Sequence, residues 1–220
     1  MDNASRPTRL DDTLRPDLPE EIAMVDEYSG EVIGSVDRHM AHTTGVWHAS
    51  THVWILDASS NLLFQQRAAW TRRFPKYWDI SAAGHMKVGE EGSLREVSEE
   101  LGVTPDPSEV EFLGILVSTH ASEGFLNRER PRVYLWRSSL TLLDFSFPDD
   151  EAMALASLPL SDVLRFIRGG EVKCEVLRNN GMHNEYVYGK NLVPQSNEYW
   201  AKLSEAVKWA LPIQLERPLI

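Results

Sequence analysis

The sequence contains very little cysteine: one residue, Cys174, among 220. A single thiol can form neither an internal disulfide nor a cysteine-rich zinc site, and this usage is typical of a reducing compartment. No apolar run approaches the roughly 18–20 residues needed to cross a bilayer. Residues 1–15 are polar and contain no apolar stretch, so we expect no secretory signal. These absences predict a cytoplasmic protein without a membrane anchor.

Basic charge is also scarce, with 22 Lys and Arg against 33 Asp and Glu and a formal net charge of −11. Nucleic-acid backbones are bound by clustered basic side chains, so we expect no nucleic-acid polymer as a partner. The length suits one domain with its own core. We assign residues 1–20 to a flexible N-terminal tail and residues 21–220 to a single domain with a C-terminal helical extension. The oligomeric state stays open, and a homodimer is one option.

Apolar periodicity and turn residues outline the secondary structure. They predict strands at residues 22–26, 31–36, 48–56, 62–66, 78–82, 112–118 and 133–138. They predict helices at residues 93–101, 161–168 and 199–210. Strands and helices do not alternate regularly, which predicts an α+β fold with a mixed β-sheet flanked by helices.

The helix at residues 93–101 combines a cap with a group of carboxylates. Ser93 followed by Glu96 is a capping-box pattern, and Gly102 is a stop signal. At 100° per residue one face carries Leu94, Val97 and Leu101. The opposite, outward face carries Glu96, Glu99 and Glu100. These acids repel one another unless a hard divalent cation such as Mg²⁺ or Mn²⁺ binds them; a solvated acidic face is the alternative.

The segment that contains this helix resembles the Nudix box, Gly-x5-Glu-x7-Arg-Glu-U-x-Glu-Glu-x-Gly-U, where U is aliphatic. Gly84 and Glu90 match its first half, and residues 95–103 match every specified position of its second half. The similarity covers about residues 21–210 and points to the isopentenyl-diphosphate-isomerase-like branch of the Nudix superfamily. The segments that support this branch are residues 52–55, 62–67 and 78–85, with a fainter match at 124–135.

The resemblance implies an α/β/α sandwich and a Nudix pyrophosphohydrolase. Such an enzyme uses Mg²⁺ or Mn²⁺ to hydrolyse a diphosphate linkage in a nucleoside diphosphate derivative or a small organic diphosphate. By position, the implied metal ligands and catalytic residues are Glu96, Glu99 and Glu100, with Glu96 as a ligand or the general base. A base on a later loop is a further implied feature, and Glu151 is the candidate. The residues implied to be structural are Gly84, Glu90, Arg95 and Gly102. The candidates for binding the substrate diphosphate are Arg67, Lys76 and His85.

The motif departs from the family pattern at one place. Four residues separate Glu90 from Arg95, where the family has seven. The difference corresponds to about 4.5 Å of helix. Either the helix begins one turn late or the preceding loop is pulled taut, which puts the usual contact between Glu90 and Arg95 in question. A deletion in the gene model would explain the difference equally well.

Two other functions compete with hydrolysis. Isopentenyl-diphosphate isomerases resemble this chain in two histidines that bind metal, which correspond to His48 and His85. The isomerases have a catalytic cysteine where this chain has Ala83, and Cys174 lies far away in sequence. The shortened motif also suggests a domain that binds diphosphates without cleaving them.

Overall fold

The computed structural model describes residues 19–90 and 94–207, and it contains a 12-stranded sheet with helices on both faces. The strands are β1 (Glu21–Val25), β2 (Val32–Asp37), β3 (His48–Leu56), β4 (Leu62–Arg67), β5 (Trp78–Asp79), β6 (Ala82–His85), β7 (Val110–Ile115), β8 (Ser118–Ser122), β9 (Phe125–Arg137), β10 (Ala152–Leu158), β11 (Glu171–Arg178) and β12 (Gly181–Tyr188). The helices are α1 (Arg38–Thr44), α2 (Arg95–Leu101), α3 (Leu160–Ile167) and α4 (Asn197–Ala206).

The sheet is mixed, and strand β3 lies at its centre. The order β12-β11-β10-β4-β3-β1-β2 is antiparallel throughout. Strand β9 pairs with β3 in parallel, from His48 opposite Glu129 to Leu56 opposite Arg137. Strand β6 pairs with β3 in antiparallel, with Ser50 opposite His85. All nine residues of β3 are buried, because the strand is covered on both faces.

Side chains alternate along β3 and contribute to a core on each face of the sheet. On one face Trp54 packs with residues of α3 and α4, including Phe166 and Trp200. On the other face Val53 and Ile55 pack with residues of α2, including Val97 and Leu101. Helices therefore cover both faces, and the predicted mixed sheet flanked by helices is confirmed. None of the described helices is long and apolar enough to cross a membrane.

Several predicted elements agree closely with the structure. The strand predicted at residues 48–56 is β3, and the helix predicted at 161–168 is α3, displaced by one residue. The acidic helix ends where Gly102 adopts a left-handed φ of 70° and donates its N–H to the Ser98 carbonyl at 3.1 Å. Three parts of the prediction lie outside the described residues. They are residues 1–18 of the tail predicted at 1–20, Ser93 of the predicted cap, and residues 208–210 of the last predicted helix.

The strand predicted at residues 78–82 is wrong, because the chain divides there into β5 and β6. Ser81 lies between them, and its hydroxyl donates to the Leu63 carbonyl at 2.6 Å while accepting the Ile55 N–H at 3.0 Å. The side chain thus bridges β3 and β4. The strand predicted at residues 112–118 ends at Ile115, after a register shift between Phe112 and Gly114.

Five elements were absent from the prediction: α1, β8, β10, β11 and β12. Helix α1 had recognisable boundary signals. Asp37 accepts the Met40 N–H as an N-cap, and Gly45 ends the helix with a φ of 72°. Strand β11 alternates exposed and buried residues, which is the pattern of a half-buried strand.

Candidate active site

Helix α2 lies against strand β6, and the closest approach joins Glu96 to Gly84. A Cβ atom at Gly84 would overlap the Glu96 carboxyl group, so only glycine leaves room for the side chain. The Glu96 side chain is 13% exposed. Burial raises the pKa of Glu96 to about 7, with a further contribution from Glu99 and in opposition to Arg95. Glu96 therefore exchanges a proton near neutral pH.

Glu100 points into the protein, so the predicted outward acidic face is wrong for this residue. Its Oε2 accepts hydrogen bonds from Gln65 Nε2 at 3.0 Å and from the Ala83 N–H at 3.1 Å. Burial, followed by the charge of Glu96, raises the pKa of Glu100 well above its usual value. The side chain turns inward because β4 and β6 offer it donors beneath α2.

Arg95 contacts three acids of the motif. Its Nη2 lies 2.7 Å from Glu96 Oε1, its Nη1 donates to Glu99, and its Nε lies 3.6 Å from Glu90 Oε1. The shortened segment thus still allows Glu90 to approach Arg95, a contact that the sequence had put in question. Glu99 is the most exposed of the helix acids, at 45% of its side chain. Its carboxylate is turned toward Arg95.

Asp149 and Glu151, which lie just before β10, join the three acids of α2 in a group that we call the carboxylate cluster. Its members are Glu96, Glu99, Glu100, Asp149 and Glu151. The charge of Glu151 raises the pKa of both Glu96 and Glu100. Burial is the largest cause of the raised pKa of Glu151 itself, and the charge of Asp149 adds to it. Glu151, the predicted base, therefore lies within electrostatic reach of the acids on α2.

The three residues predicted to bind the diphosphate, Arg67, Lys76 and His85, lie in three different parts of the structure. Arg67 Nη1 lies 3.0 Å from Asp79 Oδ2, and its charge lowers the pKa of Glu151, so it lies near the carboxylate cluster. Lys76 is exposed in the loop between β4 and β5, with a left-handed φ of 64°. His85 belongs to a second group of side chains, on the other face of β6.

This second group, the histidine cluster, consists of His42 on α1, His48 on β3 and His85 on β6. One ring nitrogen of each lies within 4.8 Å of the others. His42 Nε2 and His85 Nε2 are 3.1 Å apart. Among residues 19–90 and 94–207, this set of potential metal ligands converges, whereas the predicted carboxylate trio of α2 does not meet the same distance condition.

Two rings of the histidine cluster, those of His42 and His85, are neutral at neutral pH and present lone pairs. Burial, followed by the charge of His48, lowers the pKa of His42 to about 4. Burial, followed by the charge of Arg38, lowers the pKa of His85 well below its usual value. His48 Nδ1 donates to the Val46 carbonyl at 2.8 Å, and its buried Nε2 has no hydrogen-bond partner in the protein. An imidazole held in this way is suited to bind a metal through Nε2.

A buried carboxylate borders the histidine cluster. Glu129 Oε1 lies 3.7 Å from His48 Nε2 and 3.9 Å from His85 Nε2, and Oε2 lies 3.6 Å from His52 Nε2. Burial alone would raise the pKa of Glu129, but the His48 and His52 rings outweigh it and hold the pKa well below its usual value. Glu129 therefore offers a negative charge to whatever cation the histidines bind.

The two clusters lie close enough to share charged neighbours. The Arg38 guanidinium lowers the pKa of His85 and that of Glu151. Glu20 raises the pKa of Glu96 and that of Glu151. Arg38 Nη1 and Glu20 Oε2 form an ion pair at 3.0 Å. This pair therefore acts on members of both groups.

The two clusters suit different cations. The carboxylate cluster contains several acids whose pKa is raised by burial and mutual repulsion, and a hard cation with oxygen ligands would relieve both. The converging imidazoles, with an unpartnered His48 Nε2, suit a softer transition metal such as Zn²⁺. The histidine cluster thus fits a divalent metal in its present geometry, whereas the carboxylate cluster has the charge for one but, within the described part of the chain, its acids do not converge on a common point.

Sequence reasoning identified most of the carboxylate cluster and missed most of the histidine cluster. His48 and His85 were noticed only through the resemblance to isomerases. His42 was missed because α1 was not predicted, although Asp37 and Gly45 mark its ends. Glu129 carries no local signal, since its partners reach it through the parallel pairing of β9 with β3.

Comparison with known proteins agrees with this geometry. A family model for the NUDIX domain matches residues 46–177. The chain is 28% identical to an uncharacterized Nudix hydrolase of Clostridium acetobutylicum over 155 residues, 68% of this chain and 75% of that protein. It is 33% identical to Nudix hydrolase 3 of Arabidopsis thaliana, a match that covers 63% of this chain but 19% of that protein.

Two further similarities concern an isomerase and a solved structure. The chain is 30% identical to an isopentenyl-diphosphate Delta-isomerase of Escherichia coli over 142 residues, 63% of this chain and 76% of that protein. The crystal structure of DR0079 from Deinococcus radiodurans superposes with a TM-score of 0.51 at 20% identity, covering 68% of this chain and 89% of that one. This structural likeness supports the fold.

The family match and the Nudix hydrolase relatives support the class of pyrophosphohydrolases, enzymes that cleave pyrophosphate linkages. The family model covers more than half of the chain. The chain belongs to the Nudix family, whose hydrolases generally use divalent metals.

Proposed function

We propose that this protein uses Mg²⁺ or Mn²⁺, held at the carboxylate cluster, to hydrolyse a nucleoside diphosphate derivative or a small organic diphosphate. One observation carries the proposal: Glu100 is buried and Glu96, one turn away on α2, is 13% exposed, and the pKa values of both are raised. Buried acids that repel one another are costly unless a cation joins them. A diphosphate completes such a site, since Mg²⁺ usually keeps substrate phosphates among its ligands.

The chain's residues take distinct roles in this proposal. Glu100 and Glu96 would hold the ion, which when bound neutralises phosphate charge and lowers the pKa of a coordinated water. Glu96, with a pKa of about 7, can instead accept the proton of the attacking water, and Glu151 is the second candidate for this base. Glu99 faces Arg95 and helps to fix the helix entry, and it remains a candidate ligand. Arg67 would bind the diphosphate beside the acids.

A phosphate-release screen with nucleoside diphosphate derivatives and small organic diphosphates tests the proposal. We expect turnover by the wild type with Mg²⁺ and its loss in EDTA. Glu100→Gln keeps the size of the side chain and should lower kcat/KM at least 100-fold. Glu205→Gln, at an exposed position on α4, is the matched control and should retain activity.

The screen also separates hydrolysis from binding alone. Thermal stabilisation by a diphosphate without any turnover would favour a domain that binds diphosphates and does not cleave them. Full activity of Glu100→Gln would contradict the proposed site, because glutamine can still accept the hydrogen bonds beneath α2 but has no negative charge with which to hold the ion.

A second candidate activity is the isomerisation of isopentenyl diphosphate. The histidine cluster and the 30% identity to the Escherichia coli isomerase favour it. Ala83, at the position of the isomerase cysteine, opposes it, and burial raises the pKa of Cys174 to about 12. Incubation with isopentenyl diphosphate and analysis of the organic product discriminates the two: the allylic isomer indicates isomerase, and a monophosphate indicates hydrolase.

A further inference from the structure

Tyr199, on α4, places its hydroxyl between two buried side chains of β3. The residue is 1% exposed. Its oxygen lies 3.0 Å from Trp54 Nε1 and 3.0 Å from His52 Nδ1. An indole N–H can only donate, so the phenol oxygen accepts from Trp54. The single phenol proton is then available to His52.

This arrangement selects one tautomer of neutral His52. If Nδ1 of His52 carried the proton, the buried Tyr199 hydroxyl would have no acceptor, and an unsatisfied buried donor costs about 1–3 kcal/mol. Nδ1 therefore accepts from Tyr199, and the ring proton lies on Nε2. That nitrogen faces Glu129 Oε2 at 3.6 Å and the Ser50 hydroxyl at 3.5 Å.

His48 has the opposite tautomer, because its Nδ1 donates to the Val46 carbonyl. The two oxygens of Glu129 consequently meet different partners. Oε2 faces the Nε2–H of His52 and accepts a hydrogen bond from the Ser50 hydroxyl at 3.4 Å. Oε1 faces the Nε2 atoms of His48 and His85, at 3.7 and 3.9 Å. A cation among these three atoms would satisfy all of them.

We propose that Tyr199 is a positioning residue: it holds His52 in the Nε2–H tautomer and thereby directs Glu129 Oε1 toward the histidine cluster. Through this chain of hydrogen bonds, helix α4 takes part in building a site whose ligands all lie on other elements. The consequence for Glu129 as a metal ligand depends on the candidate metal at the histidine cluster. The tautomer of His52 depends neither on a metal at the histidine cluster nor on the proposed hydrolysis.

The tautomer can be read directly from two-bond ¹H–¹⁵N correlation spectra of the full chain labelled with ¹⁵N-histidine. We expect wild-type His52 to carry its proton on Nε2 and His48 on Nδ1. In Tyr199→Phe, His52 Nδ1 loses its hydrogen-bond donor, and we expect the preference of His52 for the Nε2–H form to weaken. Tyr186→Phe removes a hydroxyl from an exposed tyrosine on β12 and is the matched control, with unchanged spectra.

A second measurement, Co²⁺ binding followed by visible absorption, tests the effect on the cluster. Tyr199→Phe should weaken Co²⁺ binding about tenfold, the lower end of the range of about 10- to 100-fold for such indirect effects. His52→Gln can still donate to Glu129 and should retain more affinity than His52→Leu, a difference that a purely structural role would not produce.

The outcomes separate this inference from the proposed hydrolysis. A His52 proton on Nδ1 in the wild type, or a Tyr199→Phe spectrum identical to the wild type, would overturn the inference whatever the enzyme's activity. Absence of diphosphate turnover with the expected tautomers would overturn the proposed function alone. If the wild type binds no Co²⁺, the link to the cluster fails, while the spectra still decide the tautomer.

Discussion

Gly84 and Glu96 meet at the interface of β6 and α2, where the Glu96 carboxyl group occupies the space that a Cβ atom of residue 84 would need. The absence of one side chain therefore fixes the position of another. Glu96 belongs to the carboxylate cluster, so the glycine contributes to the site without providing any polar group of its own.

Gly84→Ala should consequently displace Glu96 and lower both stability and activity. Overpacking of a tight interface typically costs about 1–3 kcal/mol, measurable by chemical denaturation. We expect kcat/KM for diphosphate hydrolysis to fall more than tenfold. Gly34→Ala on β2 is the control, since its Cβ would meet only the mobile terminal methyl of Met24 at 3.1 Å. Equal effects of the two substitutions would argue against a special role for Gly84.

The raised pKa of Glu96 predicts how stability depends on pH in metal-free protein. The folded state keeps a proton on Glu96 up to about pH 7, whereas the unfolded chain loses it near the ordinary value of 4.5. The folded state thus binds more protons between these values, and the free energy of unfolding falls as pH rises through this window.

Glu96→Gln should therefore stabilise the metal-free protein at pH 8 by on the order of 1–3 kcal/mol and change it little at pH 4. Urea denaturation across the pH range measures this difference. Glu123→Gln, at an exposed turn position, serves as the control. A stability that rises with pH between 4.5 and 7 because of Glu96 would contradict its raised pKa.

Metal binding should distinguish the two clusters. Mg²⁺ should stabilise the wild type and His48→Gln but not Glu100→Gln, whereas Zn²⁺ should stabilise the wild type and Glu100→Gln but not His48→Gln. At about 100 times the dissociation constant, binding adds about 2.7 kcal/mol, or a rise in Tm of roughly 5–10 °C. Thermal unfolding with each metal, and with EDTA, measures this. Loss of both responses in a single variant would indicate one shared site.

Cys174 should be chemically inert in the folded protein. It lies in the core beside β12, 6% exposed, and burial raises the pKa of its thiol to about 12. Because the thiolate is the reactive form, we expect a disulfide reagent at pH 8 to label the native protein only very slowly and the guanidinium-unfolded protein completely. Rapid labelling of the native protein would show that β11 opens readily, and it would revive a role for this thiol.

The three acids of α2 in the carboxylate cluster could be proposed from the sequence because local spacing joins them. A single helix brings Glu96 and Glu100 onto neighbouring turns, and the family motif identifies them. The inward direction of Glu100 could not be predicted in this way. It depends on Gln65 and on the Ala83 N–H, which belong to strands that pack beneath the helix only in the folded protein.

The histidine cluster is non-local, which explains why the sequence indicated it poorly. His42 depends on the path of α1, and His85 reaches His48 because the register of β6 on β3 places residue 85 opposite Ser50. Neither relation follows from periodicity. Strand β3 itself was predicted at its correct bounds, since the apolar run at residues 53–56 and the turn residues that follow it are local signals.

Strand β6 also constrains how this protein can change. Adjacent residues of a strand face opposite sides, so the backbone at Gly84 accommodates the carboxylate cluster while the side chain of His85 joins the histidine cluster. A single-residue insertion or deletion before them would put a side chain against Glu96 and turn the imidazole away at the same time. A change in the length of this strand would therefore disrupt both clusters at once. We accordingly expect the two clusters to be inherited or lost together.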